Sequence, residues 1–306
     1  MKKMLILFVA LSLFLFGCQN QQQGVAGPSF VGGTDGLLIN FLQDAPPDNV
    51  YDANRAEFQA AVQVKNAGEW DVPIGNLKVS LSGIDPVDFS KKDADMQKSS
   101  DTVLTATKKD STGAIIQGAQ LVFTFPGFSY KANLPGDVQH TIKADACYAY
   151  GTNVLSSICI KKDLTKVDTT VCTVDSDRTV ANSGAPVQVA SIHESAGGSD
   201  SILLTITLKQ TGTGEIFKSS QSCASGIANE NVVNFKINTG MTSELSCSGL
   251  TTGTGTATGD VTLYGGERQI TCTQKTGGQG DFEKTVEITL GYDHKVSTSK
   301  TIVVKG

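Results

Sequence analysis

The chain is poor in the residues that build metal sites. It has three widely separated histidines, His140, His193 and His294, and none of its seven cysteines occurs as Cys-x-x-Cys. A structural zinc site needs cysteine and histidine ligands at close spacings, so we predict no metal site of this kind. His193 stands beside Glu194, which is a candidate acid–base pair. Its place at the end of a strand pattern instead favours a surface-facing histidine.

The usual marks of an enzyme are also missing. Residues 222–226, Ser-Cys-Ala-Ser-Gly, do not form the Gly-x-Ser-x-Gly of a nucleophile elbow. The glycine-rich stretch 251–259 has neither the lysine nor the following helix of a phosphate-binding loop, and we predict a mobile loop there. No catalytic residue and no cofactor are expected.

Positive charge is not concentrated in any segment. The formal net charge is −5, and the pairs Lys91-Lys92 and Lys161-Lys162 lie close to aspartates in the sequence. Nucleic-acid-binding proteins instead carry a basic stripe or patch. The sequence therefore predicts no nucleic-acid partner.

Helical periodicity is absent beyond the N-terminal apolar run, apart from a possible short turn at 89–96. Alternation of apolar and polar residues dominates from residue 36 onward. In 58–65 and again in 202–209 the even positions are apolar, which is typical of a half-buried strand. About seven such runs in each half predict an all-β protein.

The N-terminus has the layout of a secretory signal. Two lysines precede an apolar run that is shorter than a typical transmembrane helix. The run ends in Leu15-Phe16-Gly17-Cys18, which resembles the lipobox of prokaryotic lipoproteins, although Phe16 departs from the small residue usual at its position. The resemblance implies a signal peptide over 1–17, cleaved before Cys18, and a diacylglyceryl group on the Cys18 thiol that anchors the protein in the membrane.

Residues 18–33 are polar, contain glycine and lack apolar periodicity. This composition is typical of a flexible tether between a membrane anchor and a folded domain. We therefore expect the protein at the extracellular face of the cell membrane, or in the cell envelope or periplasm.

Once Cys18 is assigned to lipid, six cysteines remain, an even number that predicts three disulfides in an oxidising compartment. These cysteines are Cys147, Cys159, Cys172, Cys223, Cys247 and Cys272. Strand phase narrows the pairings. Cys247 and Cys272 each lie two residues from a leucine or an isoleucine, so both point into the core, and we pair them.

The alternation of apolar and polar residues along the strands indicates the other two disulfide pairings less directly. Cys147 and Cys159 are out of step with the apolar residues around them, and we pair them across a hairpin between outward-facing positions. Cys172 and Cys223 are then joined by exclusion. This third pair is the least constrained.

The two halves of the mature sequence resemble each other. The first half contains two strand patterns, 36–41 and 58–65, and then Asn-Ala-Gly-Glu. The second half contains similar patterns at 187–192 and 202–209, and then Gln-Thr-Gly-Thr-Gly-Glu. Each half ends in a tyrosine- and glycine-bearing stretch that we interpret as a closing hairpin. Strand count and turn spacing predict two β-sandwiches, at 34–162 and 184–306, joined by a connector at 163–183.

Short motifs suggest a family. The strand-turn motifs Asn66-x-Gly68 and Gln210-x-Gly212 resemble those of Ig-like, CARDB-type domains of archaeal and bacterial surface proteins. The hairpin predicted at 147–160, followed by Gly-Ala-Pro-Val at 184–187, is similar to uncharacterised exported proteins of small-genome archaea. The resemblance implies Ig-like sandwiches and binding or structural roles at the cell surface.

Three functions follow as hypotheses. We favour a lipid-anchored surface scaffold or adhesion protein that has no catalytic activity and binds a protein or glycan partner. The alternative is a glycan-binding accessory protein that uses Trp70, Phe128 and Tyr130 as an aromatic platform, and a secreted hydrolase is the third. Calcium in acidic loops is a further possibility, with these candidate ligands: Asp88, Asp93, Asp95, Asp101, Asp175 and Asp177.

Overall fold

A computed structural model describes residues 30–164, 170–278 and 280–306 of the 306-residue chain. The predicted signal peptide, Cys18 and the tether up to residue 29 lie outside the described residues, as does part of the predicted connector. Regular structure in the described part is almost entirely β, which confirms the predicted all-β sandwich fold. A single 3₁₀ turn, Asp93–Met96, lies within the predicted helical stretch.

Alternating apolar residues form the strands, most of which bury every second side chain. In chain order the strands are β1 Leu37–Phe41, β2 Asn49–Tyr51, β3 Phe58–Asn66, β4 Leu77–Ser82, β5 Gln97–Ser99, β6 Lys108–Lys109, β7 Ile115–Ile116, β8 Gln120–Phe128, β9 Val138–Ile160, β10 Ser176–Arg178, β11 Ala181–Asn182, β12 Val187–Ala196, β13 Ser201–Gln210, β14 Glu215–Phe217, β15 Val232–Asn238, β16 Glu244–Cys247, β17 Thr251–Thr254, β18 Thr256–Thr262, β19 Glu267–Lys275 and β20 Phe282–Lys305.

Three sheets contain these strands. A three-stranded antiparallel sheet has the order β1-β3-β8, and β6 and β7 form a separate hairpin. The large sheet has the order β10-β12-β13-β19-β16-β17-β18-β15-β20-β9-β4-β5, with β2, β11 and β14 at its sides. In the second half, the short strands β16 to β18 connect β19 to β15 within this sheet. In the first half, apolar side chains of this sheet and of the three-stranded sheet belong to one buried cluster.

The longest feature of the fold is the ribbon, which we define as the antiparallel pair of β9 and β20. Its register is unbroken over 23 residue pairs, from Val138 with Val304 to Ile160 with Phe282. At about 3.3 Å per residue the ribbon is roughly 70 Å long. It therefore runs through both halves of the molecule.

The ribbon has an internal two-fold relation about its central pair, Ala149 with Asp293. β4 borders β9 on one side of this centre, and β15 borders β20 on the other. Each half is therefore completed by a piece of the strand that begins in the other half. One contiguous cluster of buried apolar side chains extends through both halves.

This pairing corrects the predicted hairpins. The stretches around Gly151 and Gly291 are not turns, since each lies inside one continuous strand and the two glycines pair with each other. The division of the sequence into 34–162 and 184–306 stays a prediction. In space, however, the last strand of each predicted unit extends along the other.

Two predicted loops are also structured. Within 163–183, β10 pairs with β12 and β11 pairs with β9, so the described part of the connector belongs to the sheet. Within 251–259, β17 and β18 form a hairpin around Gly255, whose φ of 60° suits a tight turn. The predicted mobile loop is therefore wrong.

The disulfides confirm one predicted pairing. Cys247 and Cys272 are direct cross-strand neighbours and are bonded. The other two pairings are wrong, because Cys147 bonds to Cys223 and Cys159 bonds to Cys172. Cys147 and Cys159 lie on the same extended strand, about 40 Å apart by strand rise, so they cannot meet.

Three disulfides place the protein in an oxidising compartment, outside the cell or in its envelope. Within the ranges that the structure describes, no helix has the length and apolar character needed to cross a membrane.

Candidate functional site

The centre of the ribbon is where the polar side chains and the chain crossings concentrate. We call this region the waist. It comprises the central ribbon residues 147–152 and 290–295, the leading segment 30–36, the turns after β3 and β13, and residues 184–186, which lead into β12. Both repeated motifs of the sequence lie here.

Glu69 joins three of these segments. Its carboxylate accepts backbone N–H groups from Val31 (2.8 Å), Gly32 (2.8 Å) and Gly184 (2.7 Å). The Lys109 ammonium donates to the carbonyl oxygen of Phe30 and the Gln188 amide donates to that of Gly33. Residues 30–33 are therefore fastened to the folded body, which corrects the predicted extent of the tether, 18–33.

The motifs Asn66-x-Gly68 and Gln210-x-Gly212 have the same geometric role. The N–H groups of residues 67 and 68 both donate to the carbonyl oxygen of Gly36, at 2.9 and 3.1 Å. The N–H groups of residues 211 and 212 both donate to that of Pro186, at 2.8 and 3.0 Å. The predicted repeat is thus a repeated backbone clasp at the waist.

The inner face of the ribbon carries buried aromatic and polar side chains. Tyr148 accepts the N–H of Leu37 at 2.8 Å, and Tyr292 accepts that of Val187 at 3.3 Å, which are equivalent contacts in the two halves. The Tyr150 hydroxyl donates to the Asn66 side chain at 3.2 Å. Burial raises the pKa of all three tyrosines, so their hydroxyl groups stay protonated.

His294 is held neutral in this cluster. Its Nε2 lies 2.9 Å from the carbonyl oxygen of Thr213, which only accepts, so Nε2 carries the proton. Its Nδ1 therefore accepts from the Tyr148 hydroxyl, 2.6 Å away. Burial lowers the pKa of His294 from 6.5 to about 4.

We expect the stabilising contribution of His294 to fall in acid. Its folded pKa lies below its unfolded value, so the unfolded chain binds more protons between pH 4 and pH 6.5 and stability rises with pH over that window. Relative to a His294→Gln variant, the wild type should therefore lose about 3 kcal/mol of unfolding free energy between pH 7 and pH 4. Urea unfolding of both proteins at several pH values measures this difference, and a pH-independent difference would contradict it.

The pKa of Glu194 changes stability with pH in the direction opposite to that of His294. The effect of His294 must therefore be measured against the His294→Gln variant and not in the wild type alone. Glu194 is fully buried, lies 2.6 Å from Arg178 and accepts the Cys159 N–H at 2.9 Å. Burial raises its pKa to about 7, despite the neighbouring guanidinium. Its contribution to stability is largest in acid and declines from about pH 4.5 to pH 7, which partly offsets that of His294 in the wild type.

The outer face of the ribbon centre is covered by the serine loop, which we define as residues 218–231. Four of its non-glycine residues have left-handed backbone conformations: Ser220 (φ 65°), Ser222 (50°), Cys223 (56°) and Asn231 (58°). Each costs of order 1–3 kcal/mol, and such residues cluster at functional sites. The sequence analysis considered residues 222–226 only as a nucleophile elbow and did not predict a site in this loop, for which the length and serine content were the available signals.

Two attachments fix the serine loop to the ribbon. Cys223 is disulfide-bonded to Cys147. The carboxylate of Asp293, 3% exposed, accepts the N–H groups of Ser220 (3.1 Å) and Gln221 (2.8 Å). Between the loop and β4 lies a cavity of about 240 Å³. Its polar lining residues are Asn76, Lys78, Ser99, Ser220, Ser222 and Asp293.

The predicted aromatic platform is not assembled. Phe128 and Tyr130 are buried in an aromatic cluster at the start of β3, where Phe128 stacks on Phe58 with centroids 5.4 Å apart. Trp70 follows the opposite end of β3, roughly 26 Å away by strand rise, and lies against the backbone of Gly151. The three rings therefore cannot contact one ligand surface.

The other predicted polar candidates lie apart from the waist. His193 is half exposed and contacts Asp177 at 2.8 Å and Asp175 at 3.4 Å, in agreement with a surface histidine. Among the described residues, no three histidine, cysteine, aspartate or glutamate side chains group closely enough to hold a metal ion.

Comparisons with known proteins identify no family. No family model and no curated protein matches the chain. Among solved structures it is similar to the secreted serine protease VesC from Vibrio cholerae (11% identity, 84% of this chain, 50% of that chain, TM-score 0.20). It is also similar to red sea bream transglutaminase (12% identity, 89% of this chain, 32% of that chain, TM-score 0.21). A third similar structure is a partial N-terminal region of an enterococcal surface protein (10% identity, 89% of this chain, 87% of that chain, TM-score 0.16). The chain thus spans about half and about a third of the first two, and TM-scores this low support no argument about activity.

Proposed function

We propose that this chain is a lipid-anchored scaffold or adhesion protein of the cell surface, without catalytic activity. The likeness of its clasp motifs to CARDB-type Ig-like domains is part of the same proposal, as is acylation of Cys18. The three disulfides support the extracytoplasmic location.

The observation that carries the proposal is the attachment of the leading segment to both halves at once. Cys18 precedes Phe30 by only twelve residues. From Phe30 onward the chain is held by Glu69, whose carboxylate also binds Gly184 at the start of the second half. A force on the anchor would therefore act on the waist, where the ribbon connects the two halves.

Exposed strand edges and exposed apolar side chains on them support a binding role. β8 is the outer strand of the three-stranded sheet, and Val122 on it is 49% exposed. Ile115 and Ile116, which form β7 of the β6-β7 hairpin, are each more than half exposed. A protein partner that adds a strand or covers these side chains would use main-chain pairing and apolar contact together.

Replacement of the lipid-bearing cysteine tests the anchor. We expect the Cys18→Ser protein, expressed with its own leader in a host that acylates exported cysteines, to move from the membrane fraction into the medium, because a diacyl anchor holds where a bare chain does not. Its circular dichroism should match that of the detergent-extracted wild type. Immunoblots of both fractions measure the shift, and retention of the variant at the membrane would contradict lipid anchoring.

A further inference from the structure

The cavity beside the serine loop combines features that the proposed function does not use. The residues that line it include the nearly buried Asp293 and three serines, Ser99, Ser220 and Ser222. The loop that borders it is long for a connection between neighbouring strands and is strained at Ser220, Ser222 and Cys223. The Cys147–Cys223 bond and Asp293 hold that strained shape in place.

The cavity presents unused hydrogen-bonding capacity. Each Asp293 oxygen accepts one backbone N–H and keeps further lone-pair capacity. Lys78 lies on β4 and is exposed, and its ammonium makes no hydrogen bond or ion pair with any residue in the part of the chain that the structure describes. A nearly buried acceptor, a lysine without a partner among the described residues and three serines thus line the same cavity.

We propose that this cavity binds one ring of an acidic saccharide. The ligand's carboxylate would accept from Lys78, and its hydroxyl groups would donate to Asp293 and exchange hydrogen bonds with Ser220 and Ser222. A volume of about 240 Å³ is below the usual range for drug-sized ligands and suits a single sugar ring. A free amino acid fits the wall less well, because it would leave the serine hydroxyl groups without partners.

Trp70 provides a reporter for the cavity. It is the only tryptophan of the chain and lies over Gly151, two residues along β9 from Ala149, which lines the cavity. Two residues of a strand span about 7 Å. Occupation of the cavity should therefore change the intrinsic fluorescence of the protein.

The test is a titration of the mature protein with D-glucuronate, followed by Trp70 fluorescence and by chemical-shift changes of the 218–231 amides. We expect saturable binding with a Kd on the order of 1 mM, and at least tenfold weaker binding of D-glucose. Lys78→Gln should weaken glucuronate binding at least tenfold. The matched control is Lys236→Gln, an exposed strand lysine that does not line the cavity, and it should leave binding unchanged.

A double variant, Cys147→Ser with Cys223→Ser, tests whether binding requires the serine loop to be held by its disulfide. We expect it to lose binding and keep its β circular dichroism, because the other two disulfides remain. Absence of glucuronate binding, equal binding of glucose, equal binding of glycine, or no effect of Lys78→Gln would overturn the proposal. These outcomes are independent of the anchor, since the Cys18→Ser experiment reports location and not ligand binding.

Discussion

Neither half of the chain, expressed alone, will form a stable folded monomer. A fragment of residues 30–162 lacks the 293–305 portion of β20, which pairs with residues 138–149 of β9 and with β2. Ile302 and Val304, both fully buried, are lost with it. A fragment of residues 184–306 lacks the corresponding piece of β9. Each fragment would expose an unpaired strand of about a dozen residues, which favours aggregation or self-association.

The control is a pair of complementary, slightly longer fragments produced together. Fragments 30–164 and 170–306 retain every ribbon residue and both cysteines of the Cys147–Cys223 bond. We expect them to co-purify as a one-to-one complex with native-like circular dichroism, whereas each alone elutes as aggregate or dimer and unfolds without cooperativity. A monomeric, cooperatively unfolding fragment 30–162 would refute the role of the ribbon.

Gly68→Ala should be among the most damaging single substitutions of the chain. A Cβ at position 68 would fall well inside van der Waals contact with the Tyr150 hydroxyl and with the carbonyl oxygens of Asp35 and Gly184. Two of these atoms belong to the backbone, so a side-chain rotation cannot relieve the clash. We expect a loss of about 3 kcal/mol and a fall in Tm of roughly 6–12 °C.

Gly136→Ala is the control for this substitution. Position 136 has no neighbouring atom within 4 Å of an added Cβ and no left-handed φ, so Tm should change by less than about 2 °C. Scanning calorimetry of both variants measures the contrast. Equal Tm values for the two variants would show that the waist is not closely packed around Gly68.

Local patterns in the sequence were sufficient for the fold class and for one disulfide. Period-two alternation identifies strands because side chains of a strand point to opposite faces. The same phase places Cys247 and Cys272 on the core side of adjacent strands, and they are bonded. These features depend only on residues close in sequence.

The ribbon was missed because two glycines were interpreted as turns. Apolar residues keep to the even positions from Ile142 through Tyr148 and Tyr150 to Ile160, broken only at Thr152 and Ser156, and this shared phase was the available signal for one long strand. Gly151 is needed instead because Trp70 and the carbonyl oxygen of Leu290 approach its backbone closely. A glycine pattern does not distinguish a turn from a close approach.

The candidate site depends on contacts between segments that are far apart in sequence. The alternation of apolar and polar residues within a strand does not indicate such contacts. Asp293 and Ser220 are 73 residues apart, and Cys147 and Cys223 are 76 apart. Pairing Cys172 with Cys223 by exclusion failed because the Cys147–Cys159 pairing on which it depended is wrong. The predicted platform grouped Trp70 with Phe128 and Tyr130, but the Trp70 ring lies against Gly151 and not in the aromatic cluster around Phe128.

Disulfide mapping tests the shared ribbon most directly. Non-reducing digestion of the exported protein, followed by mass spectrometry, should yield peptides that join Cys147 to Cys223, Cys159 to Cys172 and Cys247 to Cys272. A continuous β9 separates Cys147 from Cys159 by about 40 Å, whereas a disulfide requires Cα atoms within about 7 Å. A peptide that joins Cys147 to Cys159 would therefore require a hairpin in place of β9 and would contradict the shared ribbon.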